Sequence, residues 1–177
     1  HLWTAGMNLK GQLGMGDTTK RDKHAPVTVD NMVTFVHIAV GYCHGLSLTV
    51  DGYVWGWGSN DNRQLLGHPM VAAKWNVRTP PLLVPTLLPW SESGEHPVVS
   101  VTCAAFASAL VTRTGQVVFV GQQAVVNPSF RTAIANQPGS VAVSWDGGVH
   151  KMLECPGLAG TIIQSVALGL NHCLLIA

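Results

Sequence analysis

Few side chains in this sequence have types and spacings that could do chemistry. Cys43-His44 and His172-Cys173 each set a thiol beside an imidazole, a pairing that can ligate zinc or activate a nucleophile. The two pairs lie far apart in the chain and no carboxylate adjoins them, so no metal site is predicted. Residues 11–16 read Gly-Gln-Leu-Gly-Met-Gly, with the glycine density of a phosphate-cradling loop. They lack the Gly-Lys-Ser/Thr ending, and no helical pattern follows to present a dipole. Ser47, Ser108 and Ser144 fall in strand-like runs without the Gly-x-Ser-x-Gly elbow of a hydrolase. The nine carboxylates are dispersed, with no pair at acid/base spacing. The expectation is a protein that is not an enzyme, with no catalytic residue and no cofactor.

Two places are candidates for contact with a partner. Lys20-Arg21-Asp22-Lys23-His24 is a basic cluster, read as a solvated loop whose Lys20, Arg21 and Lys23 could meet an acidic partner or a nucleic-acid backbone. Trp90, near Glu92 and Glu95 in a proline-rich stretch, could be an aromatic docking tip or could fold back on the protein. The bulk composition narrows the partner class. Of 177 residues 47% are hydrophobic and 11% charged, with a formal net charge of +1. A globular chain has about 25% charged residues, so this one is poor in charge. That excludes a disordered chain, an acidic solvating tail and a strongly basic nucleic-acid binder. Nucleic acid is therefore not the expected partner of this segment. No apolar run reaches the length of a membrane span. The four cysteines form no C-x-x-C pair and read as free thiols, and Asn127 is followed by Pro128, which removes a glycosylation acceptor. These features favour an intracellular site in an unspecified compartment. The first residue is His1 and no secretory signal follows, so the sequence is expected to begin inside a longer protein.

The elements that position these residues are strands. Short β-branched and aromatic runs at 36–40, 45–50 and 53–57 are separated by Gly, Pro, Asn and Asp. Asp51-Gly52 reads as a two-residue hairpin turn with both residues at positive φ. Alternation at Leu46, Leu48 and Val50 predicts one inward row of side chains. The run then recurs. Residues 36–58 align with 99–121, matching Ile38 to Val101, Leu48 to Val111, Gly52 to Gly115 and Gly58 to Gly121. A third copy starts at 162, with Gly169 for Gly41, His172 for His44 and Leu174 for Leu46. The front of the chain is also a copy: 2–8 matches 54–60, and Gly11-Gln12-Leu13-Gly14 matches Arg63-Gln64-Leu65 and the residues after it. A period of about 50–65 residues built of short strands means a propeller or related β array.

These repeats resemble those of the regulator-of-chromosome-condensation family. The residues that carry the resemblance are Gly6 and Asn8, Gly11-Gln12-Leu13-Gly14, Gly41 with His44, Asp51-Gly52, and Gly58 with Asn60. It is most specific over 2–67. It weakens over 99–121, where Ala104 and Ala107 replace the Gly and His although Gly115 and Gly121 persist, and it returns over 162–176 with Gly169 and His172. The resemblance implies a seven-bladed, all-β propeller with four antiparallel strands per blade. These motif residues are then structural, and His44 and His172 would each hydrogen-bond a loop to a neighbouring strand. Trp3, Trp55 and Trp57 would pack.

Counted in that order, the chain holds an outer half-blade (1–35), a blade (36–98), a divergent blade with an insertion near 122–140 (99–161), and an inner half-blade (162–177). This partial β-propeller of about three blade equivalents falls short of the roughly four to eight blades needed to close a ring. The expected function is a non-catalytic scaffold for protein–protein interaction, within a larger complex or joined to the rest of its own chain. The resemblance adds an alternative, guanine-nucleotide exchange on a small Ran-like GTPase.

Overall fold

A computed structural model describes residues 1–29, 32–65, 80–88, 97–121, 141–145, 148–153, 161–169 and 173–177. Among the described residues there are thirteen strands and no helix. They run β1 Trp3–Gly6, β2 Arg21–Pro26, β3 Phe35–Val40, β4 His44–Thr49, β5 Val54–Gly58, β6 Leu82–Leu87, β7 Val98–Cys103, β8 Ala107–Thr112, β9 Val117–Gly121, β10 Val141–Trp145, β11 Gly148–Leu153, β12 Ser165–Leu168 and β13 Cys173–Ile176.

Four antiparallel sheets result. Two are pairs, β1-β2 and β12-β13. The four-stranded sheet β3-β4-β5-β6 is a simple meander, as expected for a blade. The next sheet has the order β10-β11-β9-β8-β7: the four expected strands, plus a fifth from a hairpin in which β10 pairs with β11 at the outer edge. Aligned repeats share a register. Leu46 opposes Gly56 and Leu48 opposes Val54 in one blade, while Ala109 opposes Phe119 and Val111 opposes Val117 in the next.

There is no single core. Leu46, Leu48, Val54, Leu65 and Leu88 of the first blade pack on Val98, Val101, Leu110, Val118 and Val120 of the second. Ala109, Val111 and Val117 pack on Ile163 and Val166 of the last pair, and Trp57 packs on Leu2 and Val27 at the front. Each apolar layer thus lies between consecutive sheets, the arrangement of a repeat array in which every unit is stabilised by its neighbours. Glycine admits close approach inside these layers: a Cβ at Gly45 would sit 2.6 Å from Trp57 Cζ2.

Four local expectations are corrected. The hairpin after β4 is not a two-residue turn. Gly52 N donates to Thr49 O at 3.0 Å and Thr49 N to Tyr53 O at 2.9 Å, and only Gly52 has positive φ (88°). This is a type I turn closed by a left-handed glycine, with Asp51 at an ordinary φ, and Thr112–Gly115 repeats it. Because the strand ends at Thr49, Val50 lies on the turn and is exposed, while β4 is buried on both faces by the sheets before and after it. The outer strand at the front is Arg21–Pro26, so the basic cluster is a strand edge and not a loop. Trp3 is exposed, unlike Trp57.

Candidate functional site

The face of the arc formed by the β1–β2 loop, the turns after β3 and β7, and the loop after β5 holds most of the motif residues. Its loops are built by one repeated set of bonds. Asn8 Oδ1 accepts from Leu13 N at 2.9 Å, and Asn60 Oδ1 from Leu65 N at 2.9 Å. Gln12 Oε1 accepts from Lys10 N at 2.8 Å, and Gln64 Oε1 from Asn62 N at 2.9 Å. Gly11 N and Arg63 N donate to Asn8 O and Asn60 O, and Gly14 N donates to Gly11 O. Asn8 also donates from Nδ2 to Asp17 O and Thr19 O, which folds the longer first loop onto itself. Gly6, Gly58 and Gly121 end their strands at the mouths of these loops. Asp51, Gly52 and Gly115 lie at the opposite end, in the hairpins, and Gly169 follows β12.

The loop carbonyls also hold the next blade. Gln12 O accepts from Trp57 Nε1 at 2.8 Å, and Gln64 O from Ser108 Oγ at 2.9 Å. Ser108 Oγ then meets His44 Nε2 at 2.9 Å, so the two blades are latched through a buried imidazole. The serine proton is committed to a carbonyl that can only accept, so His44 must donate from Nε2–H, leaving Nδ1 as the bare nitrogen. Among the described residues nothing pairs with Nδ1, which is buried, or with the buried Gln64 Nε2 and Ser47 Oγ. Burial lowers the His44 pKa to about 4, which keeps the ring neutral. The ring lies against Gly41: a Cβ there would come 2.5 Å from His44 Nδ1 and 2.5 Å from the Ala104 carbonyl oxygen. Glycine at 41 and histidine at 44 are therefore one structural unit. Where Ala107 takes the histidine's place in the next repeat, Ala104 takes the glycine's.

This Ser–His pair is not built as a nucleophile. Its hydroxyl is inaccessible, and no carboxylate among the described residues orients the imidazole. Cys103 Sγ lies 3.7 Å from Ser108 Oγ, and its pKa is pushed up to about 12, chiefly by burial. Burial also raises the Cys43 thiol. Cys43, Cys103 and Cys173 are free, and among the described residues no three His, Cys, Asp or Glu side chains come together.

What the face offers outward is apolar and aromatic. Met7, Leu9 and Tyr42 are well exposed, and Phe106 partly so. Tyr42 and Phe106 come from successive blades and meet edge-on, with ring centroids 5.7 Å apart. Tyr42 N donates to Ala105 O at 3.1 Å, and Lys10 Nζ pairs with Asp61 at 3.1 Å between loops. Sequence reasoning missed this patch and the role of Ser108. The only sequence signal was the position of Tyr42 and Phe106 in aligned turns.

The basic cluster is largely satisfied within itself. Arg21 pairs with Asp17 and Lys20 with Asp22, each at 2.6 Å. The Arg21 hydrogen bond, ahead of that from Thr19 N, holds the Asp17 carboxyl below its ordinary range. Lys23 has no ion pair among the described residues. Trp90, His172 and the 122–140 insertion lie outside the described residues.

Comparison with known proteins agrees with this architecture. The Regulator of chromosome condensation (RCC1) repeat model matches residues 1–48 and 51–111, and a second model of that description matches 35–64. The chain is 42% identical over 66 residues to the Protein RCC2 homolog of Xenopus laevis, covering 36% of this chain and 12% of that protein. It is 27% identical over 169 residues to human Probable E3 ubiquitin-protein ligase HERC4, covering 94% of this chain and 14% of that protein. The chain therefore spans only about an eighth of the length of these relatives. Human WBSCR16 superposes with a TM-score of 0.71 at 21% identity, over 98% of this chain and 40% of that one. Yeast RCC1 (Prp20), in a structure bound to Kap60, gives 0.68 at 20%, over 96% and 36%. Repeated loop brackets, blade-to-blade layers and these matches lead to one assignment: the chain belongs to the regulator of chromosome condensation (RCC1) repeat family, as a partial β-propeller.

Proposed function

We propose that the chain is a non-catalytic β-propeller segment that binds a protein partner through its loop face, within a larger complex or a longer polypeptide. In this reading 1–35, 36–98, 99–161 and 162–177 are its successive blade units. The observation that carries it is the pair Tyr42–Phe106 held outward on the turns after β3 and β7, with exposed Leu9 on the neighbouring loop that the Asn8 bracket fixes. Exposed aromatics on a rigid frame anchor interfaces. The basic strand edge is a weaker candidate, because its charges are paired with Asp17 and Asp22.

The test places a photo-reactive residue at position 42 and, as a control, at Val50 in the opposite hairpin. A protein partner cross-linked from 42 and not from 50 is expected. Tyr42→Ala with Phe106→Ala should then weaken its binding by about tenfold or more at unchanged melting temperature. A partner that binds equally well to the double variant overturns the proposal. The alternative, nucleotide exchange on a small Ran-like GTPase, follows from family membership. It requires faster release of labelled GDP in the presence of micromolar chain, and an unchanged release rate removes it.

A further inference from the structure

At two successive joints between sheets, a hydrogen bond ties the following blade to the bracket loop before it. The acceptor is the same at both, the backbone carbonyl of the bracket glutamine. The donors differ. Trp57 Nε1 donates to Gln12 O at 2.8 Å from β5, and Ser108 Oγ donates to Gln64 O at 2.9 Å from β8. These donors do not occupy equivalent positions. In the aligned repeats Gly45 corresponds to Ser108, and Trp57 corresponds to Val120.

The sheet ladder relates the two pairs. Gly45 opposes Trp57 across β4 and β5, and Ser108 opposes Val120 across β8 and β9. Each blade thus offers one cross-strand pair, from its second and third strands, to the preceding bracket. At the first joint the indole lies across residue 45. A Cβ there would sit 2.6 Å from Trp57 Cζ2 and 3.1 Å from Nε1 itself, so glycine is required. At the second joint the third strand carries valine, which has no proton to donate, and the second strand carries the hydroxyl. Trp57, Ser108 and Val120 are all buried, and a buried carbonyl deprived of its donor is destabilising.

We propose that Gly–Trp and Ser–Val are interchangeable forms of one interblade latch, in which the cross-strand pair delivers a single proton donor to the bracket glutamine carbonyl. A tryptophan on the third strand demands glycine on the second. An apolar residue without a donor on the third strand demands a short hydroxyl on the second. The latch fixes the loops of the binding face, yet it does not depend on what that face binds.

The test exchanges the two forms in the full chain and reads urea unfolding. Gly45→Ser alone drives its side chain into the indole and should destabilise the chain. In the Trp57→Val background the same change should stabilise it, because the hydroxyl enters the space next to where the indole nitrogen stood. Gly45→Ala in that background adds a Cβ without a donor, and serine should exceed it by about fivefold in the folding equilibrium constant. If Trp57→Val leaves too little folded chain to measure, the opposite exchange decides. Val120→Trp should be destabilising beside Ser108 and rescued by Ser108→Gly, with a new indole N–H protected from exchange with water. Serine no better than alanine at 45, or a Ser108→Gly, Val120→Trp pair no more stable than Val120→Trp alone, overturns the inference and leaves the two bonds as unrelated features of their own joints.

Discussion

His44 makes the interface between the two blades sensitive to acid, and the size of the effect can be worked out. Its pKa falls from an ordinary 6.5 to about 4 because the ring is buried. Ser108 accepts from Nε2–H, nothing among the described residues pairs with Nδ1, and the thiol of Cys103 offers no negative charge. The unfolded chain therefore binds a proton on this histidine at a pH where the folded chain does not. Stability from this source is fully present above pH 6.5, declines as pH falls, and is gone below about 4. At about 1.36 kcal/mol per unit, the loss between neutral pH and pH 4.5 is about 2.5 kcal/mol. Asp17, whose pKa is lowered by its bond to Arg21, loses its contribution only below its ordinary 3.8, outside this window. The assay is urea unfolding at pH steps from 7.5 to 4.5 for the native chain and for His44→Gln. The difference in stability between them should narrow by that amount toward acid. Parallel curves for the two proteins would refute the assignment of the effect to His44.

Three further outcomes follow from the same geometry. Ser108→Ala leaves both the Gln64 carbonyl and His44 Nε2–H without their partner and should cost about 2–3 kcal/mol in urea unfolding. Gly41→Ala drives a methyl into the His44 ring and the Ala104 carbonyl and should cost about 1–3 kcal/mol; adding His44→Ala should make the pair cost less than the sum of the two single changes. Trp57→Phe keeps the apolar layer but strands the Gln12 carbonyl, and a loss of about 1–2 kcal/mol in thermal unfolding is expected.

How much could be read from sequence depended on whether the determining contact was local. β3, β4 and β5 were legible within a residue because β-branched runs and a glycine turn suffice to mark them. β2 was not. Arg-Asp-Lys-His-Ala-Pro has little intrinsic strand preference and is a strand because β1 supplies its hydrogen bonds and its outer edge faces water. The Asp51-Gly52 turn was placed correctly but given the wrong geometry, since the bond that decides it runs from Thr49 to Tyr53. The repeat position of His44, shared with His172, suggested a structural histidine, but its partner lies 64 residues on, in another blade. Repeat alignment matches equivalent positions; it does not say which non-equivalent ones touch. For the same reason Lys20 and Arg21 read as free charges, although Arg21 is neutralised by Asp17 from the preceding loop.

The way the layers are built also constrains where recognition can occur. A blade's two faces are consumed by its neighbours, as β4 shows by being buried from His44 to Thr49. The outermost strand β2 is guarded by charge, and the outermost strand β6 carries a proline, Pro85. The hairpin ends abut the next blade: Val98 N donates to Gly52 O, and Ile163 N to Gly115 O. The loop face combines bonded backbone groups with outward apolar side chains. There the Asn and Gln of each bracket bind their own loop through side-chain atoms and hold the following blade through a backbone carbonyl. Exposed residues between the bracket positions, such as Leu9, carry no part of that duty. They can vary without loosening the arc, so partner choice can change from one repeat to the next while the blades stay latched.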